Sequence, residues 1–301
     1  VDVSGLTPLV SGMICLLFAI LTGGVDYPWR HAIILTLLGA GVVLLLAFTG
    51  IEAMFATQPL VPLRFFVHRN VAASLLAVLF LGMVIFTYMY GMPFYYIIVH
   101  NDSAAQAGIK LIPLLLGMAL ASILGSICVS KTGRYRLVVW TGCTVAIVGV
   151  ALSTRLTPSS AAIEPLGYLF LIGLGCGFCI QPLLAAAQTA VDEAAVAQVT
   201  ACYGFFQNIG AAVNMAIVFG LLNTSHHNVV FQFLHHASAK MNALATKVDS
   251  DILWALMHGK LAQSFNDGLH LVFILACVLM GTATLCTFGL QRVPTKQNVQ
   301  K

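Results

Sequence analysis

Residues 125–136 read Gly-Ser-Ile-Cys-Val-Ser-Lys-Thr-Gly-Arg-Tyr-Arg, and apolar runs close on this stretch from both sides. Three cations, Lys131, Arg134 and Arg136, crowd into a turn broken by Gly133. A cation at the centre of a bilayer costs roughly 2.5–3.5 kcal/mol on insertion scales, so these three belong in water or among headgroups. A short basic loop between two apolar spans favours the cytoplasmic side. That assignment fixes the side of every other loop by alternation.

The rest of the chain agrees with a membrane setting. It has 301 residues, 59% hydrophobic and 8% charged, with mean hydropathy +0.95. Soluble domains carry about 25% charged residues, so a polytopic, all-α membrane protein is expected. The net charge of +4 sits mostly in short loops and speaks for topology, not nucleic acid. The eight cysteines lie within or beside apolar runs and read as small core residues, not a disulfide framework. Cys176 and Cys179 form a C-x-x-C inside an apolar helix without nearby histidines, which is a poor zinc or redox motif.

Eight apolar runs are long enough to span, near 6–24, 31–51, 71–98, 106–129, 137–155, 162–186, 199–222 and 268–290. Helix is the expected conformation, because open sheet edges cannot face lipid. Pro93, Pro113 and Pro182 mark expected kinks. With 130–136 inside, the inner segments carry eight cations: Arg64, Arg69, Lys131, Arg134, Arg136, Arg292, Lys296 and Lys301. The short outer loops and their edges carry three, Arg30, Lys110 and Arg155. The sequons at Asn101 and Asn223 both fall outside and are candidate glycosylation sites.

The one sizeable polar insertion, 223–267, places Phe231, Phe233, Leu234, Leu253, Trp254, Leu256 and Met257 at roughly helical spacing. One or two short helices on the outer surface are expected there. His226, His227, His235 and His236 form two pairs in that loop, and no metal site is assigned to them.

Within the spans the informative residues are small or neutral polar. Gly117, Ala121 and Gly125 recur at spacing four, and Gly173 and Gly177 form a G-x-x-x-G with Gln181 one turn on. Gln207, Gly210, Ala211 and Asn214 share one face, as do Tyr88, Gly91 and Tyr95. Small residues let helices approach closely, while amides in lipid need a protein neighbour or a pore. Gln181, Gln207 and Asn214 therefore either line a cavity or join helices. No acidic residue lies mid-span, and no phosphate-binding loop, H-E-x-x-H or nucleophilic triad is found, so neither an enzyme nor a cofactor is indicated.

Ser130-Lys131-Thr132-Gly133-Arg134-Tyr135-Arg136 resembles the second-half copy of the major facilitator signature loop, approximately G-x-x-x-D-[RK]-x-G-[RK]-[RK]. Ser126 stands where the first Gly belongs, and Ser130 replaces the Asp that helps latch the loop to a neighbouring helix. Pro62 to Phe66, followed by Asn70, resembles the P-L-R-L-F-x-x-R-N opening of the second half. Gln106-Ala107-Gly108 through Pro113 resembles Q-A-G-x-x-x-x-P, and Gly173 through Gln181-Pro182 resembles the helix that follows the loop pair. Gln207-Asn208-Ile209-Gly210 stands where many relatives have R-Q-x-G, and the Arg is absent. Together these resemble the fourteen-helix drug:proton antiporter branch, in its fungal form.

The resemblance implies an organisation. Residues 1–52 would be two central helices, 53–70 a cytoplasmic linker, 71–290 a six-helix half with the outer insertion at 223–267, and 291–301 a cytoplasmic tail. The half would be a 3+3 inverted repeat, and its partner, the N-terminal half, is not in this sequence. The chain opens on Val-Asp, as expected of a C-terminal portion. First and fourth helices of each half line the cavity in this family, which promotes Tyr88 and Gln181 as substrate-path residues beside Gln207 and Asn214. Second and fifth helices meet the other half, an expected place for the small stripes in 106–129 and 199–222. The implied activity is proton-driven export of small amphipathic compounds through the plasma membrane. An uptake carrier for siderophores or nutrients and a non-transporting membrane partner are the alternatives.

Overall fold

The computed structural model describes residues 3–23, 27, 30–54, 64–157, 160, 163–244 and 250–290, without side-chain detail at 3–6, 21, 52–54, 64, 219, 222–244 and 250–267. The expected tail, the linker's 55–63 and the side chains of the histidine pairs lie outside the described residues.

The described elements are helices. α1 (Val3–Thr22) and α2 (Ala32–Met54) form an antiparallel pair, and α1 leans on α9. A single turn, α3 (Arg64–Val67), precedes α4 (Arg69–Val99). Then come α5 (Ala104–Ile109), α6 (Ile112–Thr132), α7 (Tyr135–Ser153), α8 (Ile163–Gln188), α9 (Val196–Leu244) and α10 (Ser250–Thr287). Seven of the expected eight spans are long and apolar enough to cross a membrane, and the first contains a shorter apolar stretch, Thr7–Ile20.

Local chemistry sets several boundaries. α5 starts at a capping box, in which Ser103 Oγ accepts from the Gln106 N–H and the Gln106 side chain accepts from the Ser103 N–H. Gln106, the first residue of the Q-A-G motif, thus has a helix-starting role. Gly133 ends α6 at φ 65°, a left-handed cap that lets α7 begin two residues later. α4 and α8 run on through Pro93 and Pro182. Pro113 instead occupies the first turn of α6, where its missing N–H costs no helical bond, so it marks a start and not the expected kink.

The insertion also differs from expectation. α9 continues without a break through Leu244 and α10 already begins at Ser250, so the two spans are parts of a long helical hairpin. Separate short surface helices are not what the backbone forms. A helix already started by an apolar span adds residues cheaply, whereas each new helix must nucleate again.

α4, α6 and α7 pack as a copy of α8, α9 and α10. α6 lies on α8 as α9 lies on α4, α7 lies on α8 as α10 lies on α4, and α7 touches α10 while α4 touches α8. The glycines repeat this relation. A Cβ on Gly117 would lie 2.6 Å from the Phe170 carbonyl oxygen, and one on Gly173 would lie 2.1 Å from that of Leu114. In the other pair, a Cβ on Gly82 would lie 2.4 Å from the Gln207 carbonyl oxygen, and one on Gly210 would lie 2.0 Å from that of Leu79. In each interface either glycine rests on the carbonyl three residues before its partner glycine.

This corrects the expectation for the small stripes. Gly117, Ala121 and Gly125 face α8, and Gly210 and Asn214 face α4, so both stripes are consumed inside the bundle. The reason is distance: helices that cross backbone to backbone need small residues where they touch, and these crossings lie within the half.

Candidate functional site

The packing order defines a front. α7 and α10 back the central pair α4 and α8, while α6 and α9 flank it. Parts of α4 and α8 remain uncovered by these neighbours. On α4 that surface carries Tyr90, 38% exposed, with Phe86 stacked on it at 5.8 Å and Phe94 one turn further. On α8 it carries Gln181, which is exposed. In the register that superposes Gly82 on Gly173, Tyr90 corresponds to Gln181. An aromatic ring and an amide therefore occupy equivalent positions on the two central helices.

Tyr88 is elsewhere. It is 0% exposed, its hydroxyl lies 2.6 Å from Ser153 Oγ of α7, and its ring stacks on Phe273 of α10 at 5.5 Å. Two residues along a helix turn the side chain by about 200°, so Tyr88 and Tyr90 point to opposite faces. Tyr88, expected on the substrate path, has the contacts of a packing residue, and the exposed tyrosine of this helix is Tyr90. Replacing Tyr88 by Phe is expected to cost about 1 kcal/mol, because Ser153 still donates to the Val150 carbonyl. Replacing it by Ala is expected to cost about 3–5 kcal/mol through loss of the ring. Chemical unfolding of the detergent-solubilised chain measures both, and equal losses would show that the hydroxyl and not the ring holds α4 to α7.

Asn214 is also internal. Its Nδ2 donates to Thr87 Oγ1 at 2.8 Å, and Thr87 donates back to the Met83 carbonyl, so the pair joins α9 to α4. Gln207 is half-buried, with its backbone carbonyl beneath Gly82. Of the four path candidates, only Gln181 stands on the exposed front.

The basic loop is fixed by residues other than the motif's missing acid. Ser130 Oγ only donates to the Ile127 carbonyl, and Thr132 Oγ1 to that of Cys128. Lys131 and Arg134 are exposed, and Arg136 lies over the Trp140 ring at 4.6 Å. The tie to α4 is Tyr135, which is buried and whose hydroxyl accepts from Asn70 Nδ2 of α4 at 3.3 Å. Asn70 was visible as part of the R-N motif, but its partner was not.

At the other end of α4, Asn101 is exposed with φ 56°. Asp102 is ion-paired with Lys110, which also lies 4.8 Å from the centre of the Tyr96 ring. Asn223 falls within helix α9, with its side chain outside the described residues. No cluster of three metal-ligating side chains occurs among the described residues.

Comparison with known proteins gives concordant results. The sequence profile described as Major Facilitator Superfamily matches residues 3–215. An MFS-type transporter of Claviceps purpurea (strain 20.1) is 29% identical over 292 residues, covering 94% of this chain and 50% of the relative. The MFS-type efflux pump elcC of Phaeosphaeria nodorum is 28% identical over 304 residues, covering 99% and 53%. The efflux pump aflT of Aspergillus parasiticus is 31% identical over 225 residues, covering 73% and 44%. The chain thus spans about half the length of these relatives. Among solved structures, an inward-facing bacterial homolog of the human lysosomal transporter Spinster superposes with TM-score 0.59 at 16% identity, covering 94% of this chain and 69% of that one. This last likeness concerns the fold alone.

Proposed function

The chain belongs to the major facilitator superfamily, an integral membrane family of transporters and not of enzymes, and from that premise we propose that it forms the substrate-binding C-terminal half of an exporter of small amphipathic organic compounds. The observation that carries this reading is the front of the bundle, where Tyr90 of α4 and Gln181 of α8 are uncovered at repeat-related positions and the half-buried Phe86 stacks on Tyr90. A ring offers apolar contact to many lipophilic solutes, and an amide offers one donor and one acceptor to orient them. Several fungal relatives are efflux pumps, which supports export as the direction.

The remaining partners are part of the proposal. A second six-helix half faces α4 and α8, so that the two bundles rock about a shared midplane site in the plasma membrane. Protons are the coupling ion by family resemblance. None of the described acidic residues lies at the centre of a span: Asp102 is held by Lys110, Glu164 is in the first turn of α8, Asp192 and Glu193 lie between α8 and α9, Glu52 and Asp251 lie in the end turns of α2 and α10, and Asp267 lies within α10 just before its apolar span. The titrating carboxylate therefore comes from the partner half.

The test uses a full-length protein carrying this half, in a host without its own exporters. Gln181→Leu and Tyr90→Ala are each expected to change export of a lipophilic dye by about tenfold at unchanged membrane abundance, the effect of about 1.4 kcal/mol at the site. Tyr88→Ala should lower abundance and export together. Unchanged export in both front variants would remove the front from the substrate path.

A further inference from the structure

The bundle also holds a pair of thiols that transport leaves unused. Cys143 of α7 and Cys179 of α8 lie with their Sγ atoms 3.7 Å apart, at 2% and 1% exposure. The approach is enforced by the backbones. A Cβ built on Gly142 would fall 2.8 Å from both Cys179 Sγ and the Gly175 carbonyl oxygen, and one built on Gly175 would fall 2.3 Å from the Ala146 nitrogen. Helices in backbone contact hold facing Cα atoms close to the range of roughly 4.4–6.8 Å that a disulfide bridges. Cys176 is buried on the same helix, yet it is Cys179 whose sulfur reaches Cys143.

We propose that Cys143 and Cys179 are a site of reversible oxidation, a dithiol–disulfide staple between α7 and α8. With a membrane-permeant hydroperoxide as oxidant, the two thiols lose two protons and two electrons as the S–S bond forms. The O–O bond breaks, giving an alcohol and water. The staple fixes α8, which carries Gln181 two residues beyond Cys179, against α7. Its effect on export rests on the transport reading, whereas the staple itself does not.

The purified chain is treated with diamide, whose N=N bond takes up both thiol hydrogens to become a hydrazine, and free thiols are then blocked before non-reducing peptide mapping. The expected product is a Cys143–Cys179-linked peptide pair that dithiothreitol separates, with a thermal unfolding midpoint several degrees higher until reduction. Cys143→Ser and Cys179→Ser, made separately, should each lack the link and the shift, and Cys176→Ser should keep both. A link through Cys176, a link formed only after denaturation, or no link overturns the proposal. In a full-length exporter, diamide should slow dye export reversibly and leave Cys143→Ser unaffected; unchanged export with the link formed would overturn the lock on α8. A protein that exports nothing before oxidation counts against the transport reading, and the peptide map still decides the staple.

Discussion

Gly210→Ala and Gly173→Ala are each expected to destabilise the bundle by about 3 kcal/mol or more, while Gly204→Ala leaves it unchanged or slightly more stable. The new methyl group would sit 2.0 Å from the Leu79 carbonyl oxygen at position 210 and 2.1 Å from the Leu114 carbonyl oxygen at position 173. Both obstacles are backbone atoms of a packed helix, so relief requires the whole crossing to open. Overpacking typically costs about 1–3 kcal/mol where a side chain can yield, and more is expected where none can. At Gly204, on the same helix as Gly210, a methyl group would meet nothing within 4 Å, and alanine there gains helix propensity of about 1 kcal/mol.

The reciprocal arrangement sharpens this expectation. Once Gly173→Ala has spread α6 from α8, Gly117→Ala meets a gap already opened, so the double variant should cost less than the two singles added. Gly173→Ala combined with Gly210→Ala, in separate interfaces, should be additive. Denaturant titration in detergent measures all of these variants. Equal stabilities for the Ala variants at 204 and 210 would show that the helices do not cross where the structure places them.

Reconstituted alone, residues 1–301 are expected to show no gradient-driven accumulation of substrate, a complete loss compared with a full-length exporter. Alternating access needs two bundles about a midplane site, and α4 together with α6 to α10 builds one. Among the described residues no span carries a central carboxylate to take up a proton. The glycine stripes lend no support to this expectation, because they are occupied within the half. Its support is the uncovered front of α4 and α8, together with the greater length of the relatives. Vesicles holding the purified chain under an imposed pH gradient test it, with a lipophilic dye as probe. Accumulation would show that two copies assemble a working pair or that one bundle suffices. Restoration by co-expressed N-terminal helices of a relative would support pairing with a second bundle of that kind.

Much of this was legible in the chain. Apolar run length alone located the spans, because a helix crossing some 30 Å of hydrocarbon needs about 20 residues and charge is excluded from its middle. Ser103 and Gln106 specify the start of α5 through hydrogen bonds made within four residues, and Gly133 specifies the end of α6 through its own backbone freedom. Local bonds of this kind can be read without knowing what lies opposite. Tyr135 could not be read in that way, since its role depends on Asn70, brought beside it only when α4 and α7 both pack against α8 and α10.

The sequence by itself therefore determined which apolar segments are helices, some of their starts and stops, and, through its motifs, which family they resemble; it did not show that α9 and α10 continue through the polar insertion. Only the tertiary structure decided which face of each helix is covered. In a water-soluble helix that choice is written as a stripe of apolar residues against a polar one. Lipid tails are as apolar as a protein core, so a spanning helix can be apolar all round and the stripe vanishes. Tyr88 and Tyr90, both in one apolar run, thus look alike in sequence. The packing of α7 and α10 buries the first, and the same arrangement leaves the second on the front.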